Sequence, residues 1–385
     1  MRAVNNGGAG FSAKEARTAA IGESLERYAA GIYNGSSLRL SSYNSLDDEA
    51  VDPTLFKFFT DQQFGRMNLP LVPFDNDTII RWVKAVRWSD KVDVWVPACQ
   101  VFLPYRRLEG ESVFAQSIST GMAVGPSYEQ AVLSGLQEIV ERDALAISWM
   151  HRLPPRKMLP SVLGSLTLPE FHHGLSKDWK VELYDITLDV SFPVIAAVMD
   201  TYHEGNVIMS FGCACRSTHE QAARKSFLEA AQGVTYIRRL MPSYVDWSPG
   251  ENFDNLEDFN HHAILYSMYP ELRNQARYII DPEKSTIPCR PTLPVHTDIG
   301  SDVNADLDFL VSEVLKTGHE VYVVDLTTVD VKMLGVRAVR VMVPGFVHLS
   351  GTHRARPLGS DRLRNLPSEV GYETVPDNPW PHPLP

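Results

Sequence analysis

Residues Ser127 to Leu145 read "SYEQAVLSGLQEIVERDAL". Ser127 followed three residues later by Gln130 is the S/T-x-x-E/Q signature of a capped helix start. The helix it opens carries Glu138, Glu141 and Arg142, an E-x-x-E-R pattern. The same grammar stands in "SAKEARTAAIGESLER" from Ser12, with Ser12/Glu15 as the cap and Glu23, Glu26 and Arg27 as the acidic pair. A third copy, "THEQAARKSFLEAAQG" from Thr218, has Thr218/Gln221 as the cap and Glu229 and Gln232 in place of the two glutamates. The copies are too far apart for a solenoid repeat. They read as one helical element used three times around a shared centre.

Between these helices the chain turns β-branched and aromatic, as strands require. "VDVWVPACQVFL" (Val92 to Leu103), "VELYDI" (Val181 to Ile186), "FPVIAAVM" (Phe192 to Met199) and "GNVIMSFGCAC" (Gly205 to Cys215) fit this pattern, as do His319 to Val331 and Val336 to Phe346. Helical periodicity returns at Leu307 to Gly318 and at Phe259 to Ile279. The mixture predicts an α/β (α+β) fold, sheet layers covered by helices, in a domain spanning residues 1–374. The final "VPDNPWPHPLP" (Val375 to Pro385) holds five prolines. Proline fixes φ and donates no hydrogen bond, so residues 375–385 form an extended tail, either loose or a rigid strut delivering its terminal carboxylate to one place.

Composition narrows the function. The 385 residues carry a net charge of -11 and no basic block, which argues against nucleic acid as a partner. The longest apolar runs fall short of a membrane span, and the N-terminus lacks a secretory apolar core, so the expected location is the cytoplasm. The four cysteines are too few and too irregularly placed for a disulfide framework and are expected to be buried small hydrophobes. No P-loop and no G-x-G-x-x-G after a strand is present. "NNGGAGFS" (Asn5 to Ser12) reads either as an anion cradle or as a plain lead-in. The adjacent histidines of "NHH" (Asn260 to His262) read as surface.

Residues three apart on a helix project together, so each glutamate pair presents two carboxylates side by side. Small and apolar neighbours (Leu25, Val140, "AAIG", "LSGL") suggest that both helices are largely buried. Two carboxylates about 4 Å apart repel by roughly 4 kcal/mol at an effective dielectric of 20. Four converging ones need cations, and magnesium, which takes carboxylate oxygens and substrate phosphates, is the natural answer. Arg142 and Lys225 are placed to neutralise phosphate oxygens, and Glu229 and Gln232 to hydrogen-bond a ribose or base. The expectation is a magnesium–nucleotide site between helices.

At these residues the chain resembles the YcaO family, most specifically over "STGMAVGPSYEQAVLSGLQEIVERDA" and also in "GAGFSAKEARTAAIGESLERY", "THEQAARKSFLEAAQ" and the late "VPGF…RARPLGSDRL". The resemblance implies that ATP and Mg2+ are bound by S-x-x-E-x-x-E-R, S-x3-E and Q-x3-R motifs. Carried over residue by residue, Glu23, Glu26, Glu138 and Glu141 would be the acidic ligands, with Ser134 and Gln221 as further nucleotide contacts. Three positions depart from the family pattern. Ala20 replaces a serine, Pro126 stands where many members have Asn, and Lys225 replaces an arginine, which keeps the charge and loses the bidentate fork.

The resemblance also implies an activity. In the azoline-forming branch a Cys, Ser or Thr side chain of a precursor peptide attacks the preceding carbonyl, ATP phosphorylates the resulting oxyanion, and loss of phosphate leaves the heterocycle. That branch ends in P-x-P-x-P, matched by Pro381, Pro383 and Pro385, and the carboxylate of Pro385 would serve as base or positioning group. A separate E1-like or leader-peptide-binding protein is the implied partner, and self-association as a homodimer stays open. Thioamide formation and a catalytically decayed scaffold are the alternative readings.

Overall fold

The computed structural model describes residues 7–46, 48–65, 71–158, 179–203, 205–276, 302–372 and 377–384. Three long helices dominate: α1 (Ala13–Ala30), α2 (Tyr128–Met150) and α3 (His219–Leu240). Each starts where the hydroxyl signal predicts. Ser12, Ser127 and Thr218 accept from the backbone N–H of Glu15, Gln130 and Gln221. Only the hydroxyl half of each expected capping box forms. Glu15 instead reaches the N–H of Phe11, and Gln130 turns along α2 to Ser134. An N-cap hydroxyl satisfies an orphan donor unaided, so the helices start correctly without the reciprocal bond.

Two antiparallel sheets separate these helices. The first contains β1 (Arg39–Ser41), β2 (Ile80–Arg87), β3 (Asp93–Pro97), β4 (Met122–Gly125), β9 (Tyr322–Asp325) and β10 (Arg337–Met342), in the order β1-β2-β9-β10-β4 with β3 also on β2. The second is β5 (Arg156–Lys157), β6 (Lys180–Asp185), β7 (Val194–His203) and β8 (Asn206–Cys215), in that order. The expected strand at Val92 to Leu103 stops at Pro97 and continues as a 3-10 turn over Ala98–Gln100. The long helix expected at Phe259 to Ile279 is α4 (Phe259–Met268), which Pro270 ends, followed by 3-10 turns over Pro270–Ala276. Helices α5 (Val303–Lys316) and α6 (Asp361–Glu369) complete the layers.

Period-two alternation in the strands reveals the stacking. On β10, Val339 and Val341 join the apolar core that contains α2, whereas Ala338 and Met342 face the core that holds Ala29 and Ala30 of α1. On β7, Ala196 and Val198 face α2, whereas Ile195, Ala197 and Met199 face Ala222, Phe227 and Ala230 of α3. The layers therefore run α1, first sheet, α2, second sheet, α3. The edge strands β4 and β8 are the ends of their sheets, so α1 and α2 straddle β4, and α2 and α3 straddle β8. Contact at β8 is close: a Cβ on Gly212 would lie 2.1 Å from Ser226 O and 2.5 Å from Ala230 N.

Burial departs from expectation in one helix. Being the central layer, α2 is buried along most of its length, and its half-exposed positions Ser134, Glu138 and Arg142 fall four residues apart on one stripe. By contrast, α1 covers the sheet from outside and buries only Ala29 and Ala30, leaving Ile21 54% and Tyr28 46% exposed. The expectation that both acidic helices are buried holds for α2 alone, because only α2 has a sheet on either side.

Cys99, Cys213 and Cys215 are buried thiols, as composition suggested, and Cys289 lies outside the described residues. The surface reading of "NHH" is overturned: His262 is 1% exposed, and His261 stacks on Trp247. What buries His262 is the proline tail. Residues 381–384 are buried, and Asn378 is wholly enclosed. Prolines have no N–H to offer, so the tail is held mainly through its carbonyls. Arg356 donates to Asn378 O (2.6 Å), His353 Nε2 to Pro379 O (3.0 Å), Trp149 Nε1 to Trp380 O (2.7 Å), Tyr266 to Pro381 O (2.6 Å) and His262 Nδ1 to His382 O (3.0 Å). His382 stacks on His262 with ring centroids 3.9 Å apart. The tail is a strap docked in the core, not a loose end.

Candidate active site

The three helices bring their acidic residues together past the two sheet edges. On α2 the pair divides. Glu138 accepts the N–H of Gly121, just before β4 (3.2 Å), and Glu141 accepts the N–H of Cys215, at the end of β8 (3.3 Å). Three residues correspond to about 60° of rotation short of a full turn, enough to aim the two carboxylates at different sheets. Arg142 lies between them, 3.7 Å from Glu138 and 3.5 Å from Glu141. On α1, Glu23 accepts the N–H of Gly7 (3.1 Å), so the glycine-rich lead-in runs beside the acidic pair. On α3, Lys225 pairs with Glu229 (3.1 Å), which occupies the ammonium expected to be free for phosphate. Gln232 lies against the lead-in, its Nε2 2.8 Å from where a Gly7 Cβ would stand. Arg224 covers the ring of Phe11, which itself stacks on Phe227.

Electrostatics joins these residues into one row. Burial pushes the carboxyl of Glu26 up to about 8, with Glu138 and Glu23 adding to the shift and Arg27 and Arg340 opposing it. Burial likewise pushes Glu141 up to about 8, with Arg142 opposing and Glu229 and Glu138 adding. Burial works against the charge of Arg142, but Glu141, Glu138 and Glu229 outweigh it and hold the guanidinium charged. Glu26 therefore feels α2, and Glu141 feels α3, as the helix convergence requires.

Two members of the row escaped the sequence reading. Arg340, on β10, is 3% exposed, and burial lowers it to about 10 while Glu138 and Glu26 oppose the shift. Arg216, directly after β8, opposes the rise of Glu141. Arg340 sits in a stretch read only as a strand, and Arg216 directly after one. The available signal was an arginine at an inward-facing position of "VRAVRVMV", between Ala338 and Met342.

Ser134 lies one turn before Glu138 on the exposed stripe of α2 and accepts from Gln130 Nε2 (3.3 Å). Gln221 is exposed in the first turn of α3. Ala20 packs under the lead-in, its backbone N 2.4 Å from where a Gly8 Cβ would stand, and Pro126 is exposed. Pro385 lies outside the described residues. The strap that leads to it approaches the row: after burial and His262, Arg142 is among the groups that lower His382.

Among the described residues, no three His, Cys, Asp or Glu side chains are close enough to enclose a metal ion. Magnesium does not need such a cage, since it commonly takes one or two carboxylates and completes its shell with phosphates and water. Paired carboxylates in a row, two of them uncharged until a cation compensates them, suit that mode. Glu23, Glu26, Glu138 and Glu141 are the residues able to hold it. No helix among the described residues is long and apolar enough to cross a membrane.

Known proteins share this fold. A protein of Methanothermobacter thermautotrophicus carrying no functional name is 26% identical over 351 residues, covering 88% of this chain and 80% of its own. A heterocyclase solved with substrate and cofactor superposes with a TM-score of 0.78 at 24% identity, covering 98% of this chain and 49% of that one. The YcaO protein of Methanopyrus kandleri, solved with AMPPCP and Mg2+, superposes with a TM-score of 0.59 at 24% identity, covering 88% of this chain and 78% of that one. The chain thus spans about half the length of the heterocyclase it matches. Residues 7–347 match the model of the ATP- and Mg2+-binding YcaO cyclodehydratases, and the chain belongs to the YcaO family of ATP-dependent enzymes.

Proposed function

We propose that this protein is an ATP- and Mg2+-dependent peptide cyclodehydratase, acting on Cys, Ser or Thr residues of a ribosomally made precursor peptide to form azolines. The observation that carries the reading is the carboxylate row on three converging helices, with the proline strap threaded towards it. When bound, Mg2+–ATP supplies the phosphoryl group that turns the amide oxygen into a leaving group.

The chain's own residues do the rest. Glu23, Glu26, Glu138 and Glu141 hold the cations, the last two keeping their hydrogen bonds to the sheet edges and so fixed in direction. Arg142, now between Glu138 and Glu141, would offer its guanidinium to phosphate oxygens with Mg2+–ATP bound. Ser134, Gln221, Lys225, Glu229 and Gln232 orient the nucleotide. In this reading the Pro385 carboxylate takes the proton of the attacked amide or orients it. Positioning of this kind accounts for most of the catalysis in phosphoryl transfer.

The unit comprises residues 1–374 with the strap at 375–385, works in the cytoplasm and takes precursor peptide from an E1-like or leader-binding partner. The heterocyclase of twice the length is consistent with such a second component. The test is mass spectrometry of a Cys- and Ser-containing precursor after incubation with ATP, Mg2+, this protein and the partner. Loss of one water per processed residue is expected. Replacement of oxygen by sulfur would reassign the protein to thioamide formation. An unchanged peptide without ATP hydrolysis would refute both.

A further inference from the structure

Behind the carboxylate row lies a small cavity of about 60 Å3. Its walls are apolar: Phe56, Phe58, Ile139 and Val343 line it, and it reaches the surface beside half-buried Ile118, Thr120 and His348. Besides Thr120 and His348 at the mouth, two buried polar side chains break this lining. Gln100 ends the 3-10 turn after β3 and is 7% exposed; Arg340 is 3% exposed. Among the described residues Gln100 Nε2 and Arg340 Nε have no acceptor, although another nitrogen of Arg340 is fixed by Ile118 O at 2.8 Å. Burying a donor without a partner is costly, and two residues lining this cavity carry one each.

Donor geometry defines the guest. Two buried N–H groups without partners call for an oxygen acceptor. Apolar walls exclude a phosphate, whose remaining charged oxygens would be desolvated without partners. An uncharged amide carbonyl fits, with its flanking carbons against the phenylalanines. Arg340 links this cavity to the row, because Glu138 and Glu26 act on the same guanidinium. A peptide advances about 3.3 Å per residue when extended, so a carbonyl seated here leaves a neighbouring amide facing the row.

We propose that Gln100 and Arg340 form a subsite for a backbone carbonyl of the substrate peptide, next to the amide that reacts. The proposal rests on the cyclodehydratase reading. Gln100 is the residue to vary, since it lies outside the nucleotide machinery. Gln100→Met keeps length and volume and removes the donor.

Two affinities would be measured for wild type and variant with the partner present: that of precursor peptide, by competition with a fluorescent copy and without turnover, and that of Mg2+–ATP. Peptide affinity is expected to fall about five- to tenfold, the loss of one buried hydrogen bond, with nucleotide affinity unchanged and thermal unfolding of the peptide-free protein no lower than wild type's. Unchanged peptide affinity would show that the cavity serves only water and overturn the proposal. An equal loss of both affinities would assign Gln100 a structural role and also overturn it. Should wild type bind the peptide and leave it unmodified, the catalytic reading alone fails. Should wild type not bind it at all, both fail.

Discussion

Glu26 and Glu141 make magnesium binding a proton-releasing event. Each carboxyl is raised to about 8 in the metal-free fold, so each holds its proton over most molecules at pH 7. A cation ligand must be ionised. With pKa values raised this far, each carboxyl is mostly protonated at pH 7 and the two are rarely ionised together. Affinity for Mg2+ with a nonhydrolysable ATP analogue should therefore climb steeply from pH 6 to 8 and level off above. The gain is about 1.4 kcal/mol per pH unit for each carboxyl in that window.

Stability of the metal-free fold runs the other way. The unfolded chain ionises these groups near 4.5 and the folded chain only near 8, so the fold binds the extra protons and loses stability as pH rises between the two values. Calorimetric titration at pH 7 in two buffers of different ionisation enthalpy reads the protons directly. About two should leave per binding event, beyond any lost by the nucleotide, and that excess should vanish in the Glu26→Gln/Glu141→Gln double variant. Excess release below about half a proton, or an affinity flat from pH 6 to 8, would refute the reasoning.

Two further outcomes follow from the packing. Burial lowers His262 to about 4 and His353 to about 2; both stay neutral in the fold and become charged on unfolding below about 6.5, so their stabilisation is present above that pH and drains away as pH falls. In the Glu26→Gln/Glu141→Gln variant, which lacks the opposing carboxyl effect, urea unfolding at pH 4.5 should show a loss of about 2–3 kcal/mol per histidine relative to pH 7.5, and a pH-independent midpoint there would contradict it. Gly212→Ala puts a methyl 2.1 Å from Ser226 O; forcing α3 off β8 should cost about 1–3 kcal/mol and weaken Mg2+–nucleotide binding through Glu229, whereas wild-type binding would show that α3 needs no such closeness.

Much of this was legible in the chain itself. Hydroxyl caps at Ser12, Ser127 and Thr218 located three helix starts because capping is a local interaction between a side chain and nearby backbone. The glutamate pairs drew attention to the site for the same reason. Hidden from local pattern was everything that depends on layers. A single E-x-x-E looks alike on α1 and α2, yet one helix is an outer cover and the other lies between two sheets. Glu138 and Glu141 part company because a different edge strand waits on each side. Arg340 belongs to the site through the opposite face of β10, and His262 is buried by residues 120 positions later. In each case the deciding partner is remote in sequence.

The layered stack also governs the order in which the protein can mature. Glu26, Glu141 and Glu229 stand 115 and 88 residues apart along the chain, and strands of the two sheets lie between them in sequence and hold the helices in place. Closing such long loops is slow compared with forming helices and hairpins. On refolding, the helical signal should recover well before the ability to retain nucleotide, and an incompletely assembled chain would carry all its glutamates without gathering them.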